Sequence, residues 1–498
     1  MAMFGEANAR DALAQGRPAF VWQRLIADEI TPVGAATRLI APGRGDFLLE
    51  SVEGGAHRGR YSLLGLDPDL VLRAQGDRAE INREWGERRN AFVPCEQPPL
   101  DALRALLDEI RTDIPAELPP AIATLVGYFA YESFGWIEPV VRADGDGLGA
   151  PDMFFVRPRC LLVFDNIGDE LFLIAPLYPQ AAEPSAAVAA ACDRIAATVA
   201  ALGRPSPQAG PGSLSTGSVR HIVAPEDYKA RVAQAKELIA AGDIFQVVLA
   251  QRFTTDFALS PLSLYRALRR VNPSPFLFHL DLPGFALVGS SPEILVRLRD
   301  GEVAIRPIAG TRPRGKSEAE DRALEAELRA DPKECAEHLM LLDLARNDIG
   351  RVAEAGSVTV TESFGCERYS HVMHLVSHVT ARLDRDRADP LEALFAGFPA
   401  GTVSGAPKIR ACQVIAELED EPRGPYAGAV GYFAPDGSFD SCITLRTALV
   451  KDGTMHVTAG AGIVADSDPE AEQRECEAKA GALFAAAREA YRVAGGRA

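Results

Sequence analysis

Residues 225–257, PEDYKARVAQAKELIAAGDIFQVVLAQRFTTDF, change their apolar spacing midway. Up to Gly242 the apolar residues recur with helical periodicity, which predicts an amphipathic helix that ends at the glycine. From Ile244 onward, IFQVVLAQRF has the spacing of an extended strand. A helix that leads into a strand after a short turn indicates a fold that mixes helices and sheets.

The same two patterns recur along the rest of the chain. Runs typical of strands include DFLLESVE, RYSLLGL, CLLVFD, ELFLIAPL, FLFHLDL, FALVGSSPEILVRL, EVAIRPI, HVMHLVSHVTARL, AGAVGYFAP, DSCITLRTALV and MHVTAGAGIV. Helical patterns cover residues 100–112, 184–202, 317–330, 332–347, 389–396, 405–418 and 469–493. Strand pairs with short turns outnumber βαβ units. The sequence therefore predicts an α+β fold of mostly antiparallel β-sheets that form a sandwich core, with helices packed outside.

One segment divides the chain. Residues 203–218, GRPSPQAGPGSLSTGS, consist mainly of Gly, Pro and Ser, a composition that cannot bury a core and predicts a flexible linker. We therefore expect an N-terminal α+β region over residues 1–202 and a second region over residues 219–498.

Composition excludes several classes of function. The 498 residues include 52 Lys and Arg against 69 Asp and Glu, a net charge of −17, which disfavours a general nucleic-acid or anionic-membrane surface. The N-terminus lacks the apolar core of a signal peptide, and no stretch has the length and apolarity of a membrane span. The eight cysteines lack CxxC spacing, which disfavours a zinc ribbon and a disulfide framework. We expect a cytoplasmic protein.

Two predicted helices begin in the same way. DPKECAEHLMLLDLARND starts at Asp331 and DPEAEQRECEAKA at Asp468, so each has an Asp cap, Pro at the first helical position and two glutamates three residues apart. The glutamates are Glu334 and Glu337 in the first helix and Glu472 and Glu475 in the second, with Lys479 one turn further on. Acids near a helix N-terminus also complement the helix dipole. If the two helices face each other, however, the carboxylates need a hard cation such as Mg²⁺ between them.

The segment YSHVMHLVSHVT contains three histidines. It is rich in valine, which favours a strand, and then His374 and His378 share one face while His371 lies on the other. This arrangement disfavours a three-histidine zinc site and leaves a catalytic histidine or a hydrogen-bonded core histidine.

The glycine-rich segments FPAGTVSGAPK and TAGAGIV match neither a phosphate-binding loop nor a dinucleotide-binding turn. Their backbone N–H groups could hold a carboxylate. The chain has no GxSxG motif, and Cys366 lacks the flanks of an amidotransferase nucleophile. The residues alone thus predict a magnesium site and an anion pocket and leave the substrate open.

Seven motifs, in this order, resemble those of the chorismate-utilising enzymes, and most closely the large subunits of anthranilate synthases. They are GDIFQVVLAQR, SSPEILV, RPIAGTRPRG, DPKECAEHLMLLDLARNDIGRV, FPAGTVSGAPK, ITLRT and AGAGIV followed by DPEAEQRECEAKA. The resemblance covers residues 225–485 densely and the N-terminal half more thinly, through LLES and RYSLLG.

The resemblance implies that Mg²⁺ helps to bind chorismate. Glu337 and Glu475 match the family's metal ligands, with Glu334 and Glu472 beside them. The positions that match substrate contacts are Gly310, Thr311, Thr402, Tyr426, Arg446, Gly460, Ala461, Gly462 and Lys479. Fixed cations and amide donors suit a dianion in an acidic protein.

The resemblance also implies the chemistry. Glu293 matches the general acid that protonates the departing C4 hydroxyl, and His374 matches the base that removes the C2 proton as pyruvate is eliminated. Relatives that add water at C2 carry a lysine at the position of Gln246, and those that make 4-amino-4-deoxychorismate carry one at the position of Ala309. With neither lysine, ammonia is left to attack C2, which gives anthranilate. We interpret RPIAGTRPRG as an active-site wall whose distal arginines, Arg312 and Arg314, are solvated.

The resemblance further implies a partner and a regulator. The chain has no glutaminase region, so a separate glutamine amidotransferase subunit is expected to supply ammonia, and family habit suggests heterotetramers. Ser51, Pro275, Phe276, Leu277 and Cys442 resemble the family's pocket for tryptophan, the feedback inhibitor. Many relatives have Tyr-Met at positions 276 and 277, which bears on the strength of inhibition.

Other functions stay open at this point. A sister enzyme stops at 2-amino-2-deoxyisochorismate, and the motifs separate it poorly. Isochorismate or salicylate synthesis is opposed by Gln246, and 4-amino-4-deoxychorismate synthesis by Ala309. A non-catalytic subunit that binds tryptophan or chorismate is opposed by the presence of Glu293 and His374 together with all four helix glutamates.

Overall fold

The computed structural model describes residues 2–53, 57–139, 143, 145, 147–179, 183–205, 217–369 and 372–495. Most of the predicted linker, residues 206–216, lies outside the described residues, as does His371. The helices are α1 (Glu6–Ala14), α2 (Pro32–Leu39), α3 (Pro99–Glu109), α4 (Pro184–Leu202), α5 (Pro225–Ala240), α6 (Pro261–Val271), α7 (Glu318–Ala330), α8 (Pro332–Gly350), α9 (Pro390–Ala396), α10 (Lys408–Leu418) and α11 (Pro469–Ala494), with short 3₁₀ helices at Tyr131–Trp136 and Gly401–Val403.

The strands alternate with these helices along the chain. They are β1 (Ala19–Ile26), β2 (Asp46–Glu50), β3 (Val52–Glu53), β4 (His57–Arg58), β5 (Tyr61–Gln75), β6 (Arg78–Asn82), β7 (Val93–Pro94), β8 (Leu125–Phe129), β9 (Met153–Asp165), β10 (Glu170–Leu177), β11 (Arg220–His221), β12 (Gln246–Asp256), β13 (Phe276–Leu282), β14 (Phe285–Ser291), β15 (Ile294–Arg299), β16 (Glu302–Ile305), β17 (Ile308–Pro313), β18 (Thr359–Arg368), β19 (Val372–Arg382), β20 (Gly405–Ala406), β21 (Ala429–Phe433), β22 (Phe439–Ile443), β23 (Thr447–Lys451) and β24 (Thr454–Ile463).

All strand pairs among the described residues are antiparallel, which confirms the predicted fold class. One run of pairs goes from β1 through β10, β9, β5, β2, β13, β14, β23 and β24 to β12. A second leads from β9 through β8, β21, β22, β15 and β16 to β19, which also pairs with β17 and β18. The 13-residue β9 pairs with β8 through its first half and with β10 through its second, so it belongs to both runs.

The two predicted regions share these sheets. In the N-terminal half, β2 pairs with β13, placing Glu50 opposite Leu277. Strand β8 likewise pairs with β21, with Gly127 opposite Gly431. Both pairs join residues on either side of the predicted linker, so backbone hydrogen bonds connect the two halves directly.

The sandwich interior is an apolar cluster to which none of the described helices contributes. It takes one face of several strands, with residues such as Phe47, Val163, Phe278 and Val430. The opposite faces of the same strands belong to a larger apolar cluster, which also contains the buried helix residues. On β2, for example, Phe47 belongs to the interior cluster and the next residue, Leu48, belongs to the larger one. Because these strands are buried on both sides, their sequences read as continuous apolar runs rather than alternating ones.

Three helices lie where the sequence analysis predicted none: α1, α2 and α6.

The sequence analysis also expected no stretch that could span a membrane. Helix α4, however, is long and apolar enough to do so by length and composition. In the structure α4 packs against α1, α2 and the strands β1, β9 and β10, and the charged pair Asp193–Arg194 interrupts its apolar sequence.

Candidate active site

The two helices with paired glutamates begin as predicted. Asp331 caps α8, and its Oδ1 accepts hydrogen bonds from the backbone N–H groups of Lys333 at 2.9 Å and Glu334 at 3.3 Å. Asp468 caps α11 by accepting from the N–H of Ala471 at 2.9 Å. Proline occupies the first turn of each helix, where its missing N–H costs nothing.

Charge coupling shows that the glutamates of both helices lie in one region. Burial raises the pKa of Glu337, and the charges of Glu334 on its own helix and Glu475 on α11 raise it further. Burial and Glu475 likewise raise the pKa of Glu472. Lys479 offsets part of this charge, since its Nζ lies 2.7 Å from Glu475 Oε1. The site therefore holds excess negative charge between two helices.

This donor set fits Mg²⁺. In the described part of the chain, no group of three His, Cys, Asp or Glu side chains is placed to form a complete metal centre by itself. Mg²⁺ does not need one, because it commonly takes one or two carboxylates and fills its other positions with water and substrate oxygens. Glu337 and Glu475, one from each helix, could hold the ion, with Glu472 beside them.

Glu293 follows β14 and is 7% exposed. Its Oε2 accepts a hydrogen bond from Thr402 Oγ1 at 3.1 Å. Burial raises the pKa of Glu293 to about 8, because the Thr402 hydroxyl, a backbone bond and the charge of Arg446 compensate for desolvation only in part. A carboxyl group that keeps its proton at neutral pH can act as a general acid.

His374 lies on β19, the strand predicted for this segment, and its Nδ1 is 3.0 Å from the carbonyl oxygen of Gly310. Since a carbonyl only accepts, this bond assigns the hydrogen to Nδ1 and leaves Nε2 unprotonated in the neutral ring. Burial lowers the pKa of His374, which keeps the ring neutral. The side chain is thus prepared to take up a proton at Nε2.

A glycine-rich stretch of β24 lies beside Tyr426, Gln246 and Lys479. Strand β23 pairs with β24 only over Thr454–Val457, while β12 pairs with it as far as Ile463, so one edge of residues 458–463 has no strand partner among the described residues. Glycine leaves room for a neighbouring side chain at two positions here. A Cβ at Gly460 would lie 2.8 Å from the Tyr426 hydroxyl, and one at Gly462 would lie 2.7 Å from Gln246 Nε2. Free backbone N–H groups on an open edge can bind a carboxylate.

Several site residues have left-handed backbone conformations. Arg446 has φ 47°, Ala427, next to Tyr426, has φ 62°, and Gly310 has φ 69°. Such conformations cost free energy in non-glycine residues and concentrate at functional sites. Burial lowers the pKa of Arg446, but an arginine still keeps its charge at any physiological pH. Its guanidinium is therefore a fixed cation near Glu293.

The two positions that the family resemblance singled out, Gln246 and Ala309, are both buried in the protein. Gln246 is 5% exposed, and its Oε1 has no hydrogen-bond partner among the described residues. Ala309 is 9% exposed and lies opposite Leu375, just before an irregularity in the β17–β19 pairing. A buried amide oxygen without a partner can accept a hydrogen bond from an amine or ammonia.

The expectation that Arg312 and Arg314 are solvated is wrong. Arg312 lies 2.7 Å from Asp331 Oδ2 and 3.1 Å from Glu334 Oε1, and its side chain is 17% exposed. It therefore ties β17 to the start of α8. Arg314 pairs with Asp321 at 2.5 Å. Sequence reasoning missed these pairs because they depend on how α7 and α8 pack against β17.

A second chain of contacts was also missed. Arg306 pairs with Glu367, whose Oε2 accepts a hydrogen bond from the Tyr369 hydroxyl at 2.8 Å. The Tyr369 ring lies edge-on to the His374 ring, with the centroids 5.6 Å apart. This arrangement limits the orientation of the histidine ring.

The predicted regulatory residues surround a cavity of about 460 Å³, here called the regulatory cavity. Ser51, Phe276, Leu277 and Cys442 line it, and Pro275 immediately precedes the first of its β13 residues. Its other lining residues are apolar (Leu49, Leu63, Ala121, Phe278, Ile294, Val430), glycine (Gly59, Gly431) or polar and charged (Glu50, Arg60, Tyr61, Arg297, Arg299, Arg306, Tyr432, Asp440, Ser441). Ile294 is the neighbour of Glu293, so the cavity and the candidate catalytic groups are one residue apart.

Comparison with known proteins gives consistent results. Residues 46–485 match the family model described as chorismate binding enzyme. The chain is 50% identical over 478 residues to the anthranilate synthase component 1 of Cereibacter sphaeroides, with 95% of each chain covered. It is 46% identical over 465 residues to that of Thermus thermophilus, covering 93% of this chain and 96% of the relative.

Solved structures show the same fold. Anthranilate synthase component I from Streptococcus pneumoniae superposes with a TM-score of 0.75 at 33% identity, covering 93% of this chain and 99% of the other. The menaquinone-specific isochorismate synthase of Escherichia coli gives a TM-score of 0.71 at 21% identity, covering 97% of this chain and 99% of the other, and so shares the fold.

Proposed function

The chain belongs to the chorismate-binding enzymes, and within them to the family of anthranilate synthase component 1 proteins, and we propose that it converts chorismate and ammonia into anthranilate, pyruvate and water. One observation carries the proposal: Glu293, whose burial favours the protonated carboxyl group, and His374, whose Nδ1 hydrogen bond leaves Nε2 free, are both close enough to Arg446 to feel its charge. That site has glutamine at 246 and alanine at 309 in place of lysine.

Binding of the substrate follows from charge. Chorismate carries two carboxylates, and the site offers Arg446, Lys479 and the open edge of β24 to hold them. Lys479 Nζ already donates to the carbonyl of Gly460 at 2.9 Å, so it is held beside that edge. Tyr426, Thr311 and Thr402 add hydroxyl groups. Fixed donors of this kind bind an anion without having to reorganise.

In the proposed chemistry, Glu293 and His374 each transfer one proton. As ammonia attacks C2, the bond from C4 to its hydroxyl breaks, and Glu293 gives the proton that makes water of the leaving group. The ammonium group formed at C2 loses its extra proton to solvent. His374 then removes the proton from C2 at Nε2, the bond from C3 to the ether oxygen breaks, and the side chain leaves as the enolate of pyruvate, which takes up a proton at its methylene carbon to give pyruvate. Gln246 Oε1 is suited to orient the amine, since it is buried without a hydrogen-bond partner among the described residues.

We include Mg²⁺ in the proposal, held by Glu337 and Glu475 with Glu472 beside them. When bound, the ion would neutralise carboxylate charge and help to anchor the substrate. The raised pKa values of Glu337 and Glu472 support this, because burial and then the charges of neighbouring glutamates disfavour the ionised carboxylates, and a bound cation would offset both effects.

The source of ammonia is proposed to be a glutamine amidotransferase subunit, in line with the words "component 1" in the names of the relatives. A heterotetramer of two large and two small subunits is the family arrangement that we propose by analogy.

We also propose a cytoplasmic location. All eight cysteines are free thiols, which agrees with a reducing compartment such as the cytoplasm.

We propose tryptophan as the ligand of the regulatory cavity. The volume of about 460 Å³ falls in the range of roughly 300–1,000 Å³ typical of small-molecule sites. Apolar walls suit the indole, and charged groups of both signs suit an amino-acid zwitterion. Asp440 is one such group: burial raises its pKa to about 6, and its Oδ1 has no hydrogen-bond partner among the described residues.

The test of the activity is direct. Purified protein is mixed with chorismate, MgCl₂ and an ammonium salt at mildly alkaline pH, and anthranilate fluorescence is followed beside a Glu293→Gln control. Fluorescence that needs both ammonium and Mg²⁺ and is absent from the control supports the proposal. Chromatography of the mixture separates the alternative, since 2-amino-2-deoxyisochorismate would consume chorismate without fluorescence. If chorismate persists even with an amidotransferase partner, a binding subunit becomes the better interpretation.

A further inference from the structure

Arg423 is buried and contacts three segments of the candidate active site. Its side chain is 2% exposed. Nη1 donates to the carbonyl of Val403 at 2.7 Å, and Nη2 donates to that of Val248 on β12 at 2.7 Å. Its Cζ also lies 5.7 Å from the ring centre of Tyr426. Val403 adjoins the Thr402 that binds Glu293, and Val248 is two residues from Gln246.

The charge of Arg423 is compensated in place. Nε donates to Glu419 Oε2 at 2.8 Å and Nη2 to Oε1 at 2.5 Å, and Glu419 also accepts from the backbone N–H of Ala250 at 2.8 Å. The guanidinium lies 4.7 Å from the ring centre of Tyr131 as well. The planar fork of arginine is needed here, because one group bonds a carboxylate and two carbonyls in different directions.

The N-terminal half holds the backbone of this residue. Glu132, in the 3₁₀ helix Tyr131–Trp136, accepts from the N–H of Arg423 at 2.7 Å and from that of Gly424 at 3.0 Å. The N–H of Tyr131 donates to the carbonyl of Gly424 at 2.8 Å. Three hydrogen bonds from two consecutive residues thus fix the turn that leads to Tyr426.

A role in stability alone explains this cluster poorly. Replacing a buried ion pair with apolar packing is often neutral or stabilising, so burial of a guanidinium gives little net free energy. What it provides is geometry: its donors end on the carbonyls of two segments that carry Thr402 and Gln246. A displacement of about 1 Å in such a segment can cost roughly a hundredfold in rate.

We propose that Arg423 is a positioning residue that fixes the 401–403 turn, the start of β12 and Tyr426 relative to one another, so that Thr402 stays on Glu293 and Gln246 stays beside the reacting carbon. The proposal rests on the proposed function. It assigns to Arg423 no contact with the substrate.

The test compares Arg423→Lys with a matched control, Arg157→Lys. Arg157 is also 2% exposed, pairs with Asp69 and Glu109, and lies 4.1 Å from the ring centre of Tyr178. Both variants are assayed with chorismate, Mg²⁺ and ammonium below their unfolding temperatures. We expect kcat to fall about 10- to 100-fold in Arg423→Lys and by less than about threefold in Arg157→Lys. Equal losses in the two variants would overturn the proposal.

A double-mutant cycle then tests the route. If Arg423 acts through Thr402, the double variant Arg423→Lys/Thr402→Val should have a kcat only slightly lower than that of the worse single variant. If the two residues acted independently, the fold-losses of kcat in the single variants would multiply in the double variant. Losses that multiply both in this cycle and in a second cycle with Gln246→Leu would contradict the proposal, because Arg423 would then act through neither segment.

If Arg423→Lys fails to fold, Glu132→Gln provides a second test, because it removes one hydrogen bond to the turn. We then expect kcat to fall a few-fold. An unchanged kcat would argue against a positioning role. A wild-type protein that forms no anthranilate would instead reject the proposed function, so the two failures are distinguishable.

Discussion

Glu50 and Glu293 are buried to the same extent in opposite surroundings. Each is 7% exposed, Glu50 in the wall of the regulatory cavity and Glu293 in the candidate active site. Glu50 accepts hydrogen bonds from the Tyr265 hydroxyl at 2.6 Å and from Arg269 at 2.7 and 3.0 Å. Glu293 takes part in no ion pair of the described residues and bonds the Thr402 hydroxyl. A buried carboxylate that forms an ion pair holds the structure together, whereas a buried carboxyl group without an ion-pair partner keeps a proton available for chemistry.

The surroundings of the two glutamates differ in the same sense. Near Glu293 the backbone is strained at Arg446, and elsewhere in the candidate site Gln246 Oε1 has no hydrogen-bond partner among the described residues. Around Glu50 the strands β2 and β13 pair regularly beside an open cavity. One region is organised to react and the other to admit a ligand, although only the bond between residues 293 and 294 separates them.

The largest expected effect is on turnover. Glu293→Gln keeps the shape of the side chain but removes the acidic proton, and general acid catalysis is worth roughly 10²–10⁴-fold. We expect kcat for anthranilate formation from ammonium to fall about 10³-fold. Glu50→Gln should keep the turnover of its folded fraction within a few-fold. Comparable losses in both variants would remove the functional distinction between the two carboxyl groups.

The second contrast concerns stability. The folded pKa of Glu293, about 8, lies above its ordinary value of 4.5, so the folded state binds this proton more tightly than the unfolded state does. Stability is therefore lost as pH rises from about 4.5 to 8, by up to about 4 kcal/mol at pH 8. Glu293→Gln should remove this loss. Glu50→Gln should instead destabilise by about 3 kcal/mol, because it leaves Arg269 without its carboxylate.

Urea unfolding of the two variants and the wild type at pH 6 and pH 8.5 measures this contrast. The expected result is that Glu293→Gln gains stability relative to wild type at the higher pH, whereas Glu50→Gln is the less stable protein at both. A pH dependence of the wild type that persists unchanged in Glu293→Gln would show that the side chain is ionised in the folded state.

A third expectation is a bell-shaped pH profile of kcat/KM. His374 must be unprotonated to act as a base. Because burial lowers its pKa below the ordinary 6.5, activity should persist at pH 6.5 and fall only at lower pH. Glu293 must be protonated, so activity should fall as pH rises through about 8. The assay varies ammonium to hold free ammonia constant. An alkaline limb that stays in place when Thr402→Val removes the hydrogen bond to Glu293 would argue against this assignment, because losing that bond should move the limb to higher pH.

Sequence alone predicted the parts of the site that depend on local pattern. The caps at Asp331 and Asp468 follow from Asp-Pro before a helical repeat, and the strand that carries His374 follows from its valines. These features need only neighbouring residues. Assigning Glu293 as an acid came from family resemblance, while its raised pKa depends on burial by distant segments, which a single sequence does not show.

What the sequence did not predict depends on tertiary packing. Arg312 appeared solvated because its partners come from α7 and α8, whose position against β17 is set by the whole sheet. The union of the two halves in one sheet was missed because the Gly- and Pro-rich segment suggested separate regions, although pairings such as Leu277 with Glu50 bridge it. Helix α6 was overlooked although its sequence carries helix signals, namely a Ser260 cap, Pro261 at the first helical position and two arginines in the last turn.

The smallest expected effect tests the regulatory cavity. Ser51 lines it, so Ser51→Phe should occupy part of the 460 Å³ and weaken inhibition by tryptophan about tenfold or more, while kcat changes less than about threefold. Phe276→Tyr with Leu277→Met should shift inhibition by only a few-fold, because the side-chain volumes are nearly equal. Initial rates of anthranilate formation at increasing tryptophan measure both. If Ser51→Phe lowers kcat as strongly as it weakens inhibition, the cavity and the catalytic groups are not separable, and the contrast between Glu50 and Glu293 describes one site rather than two.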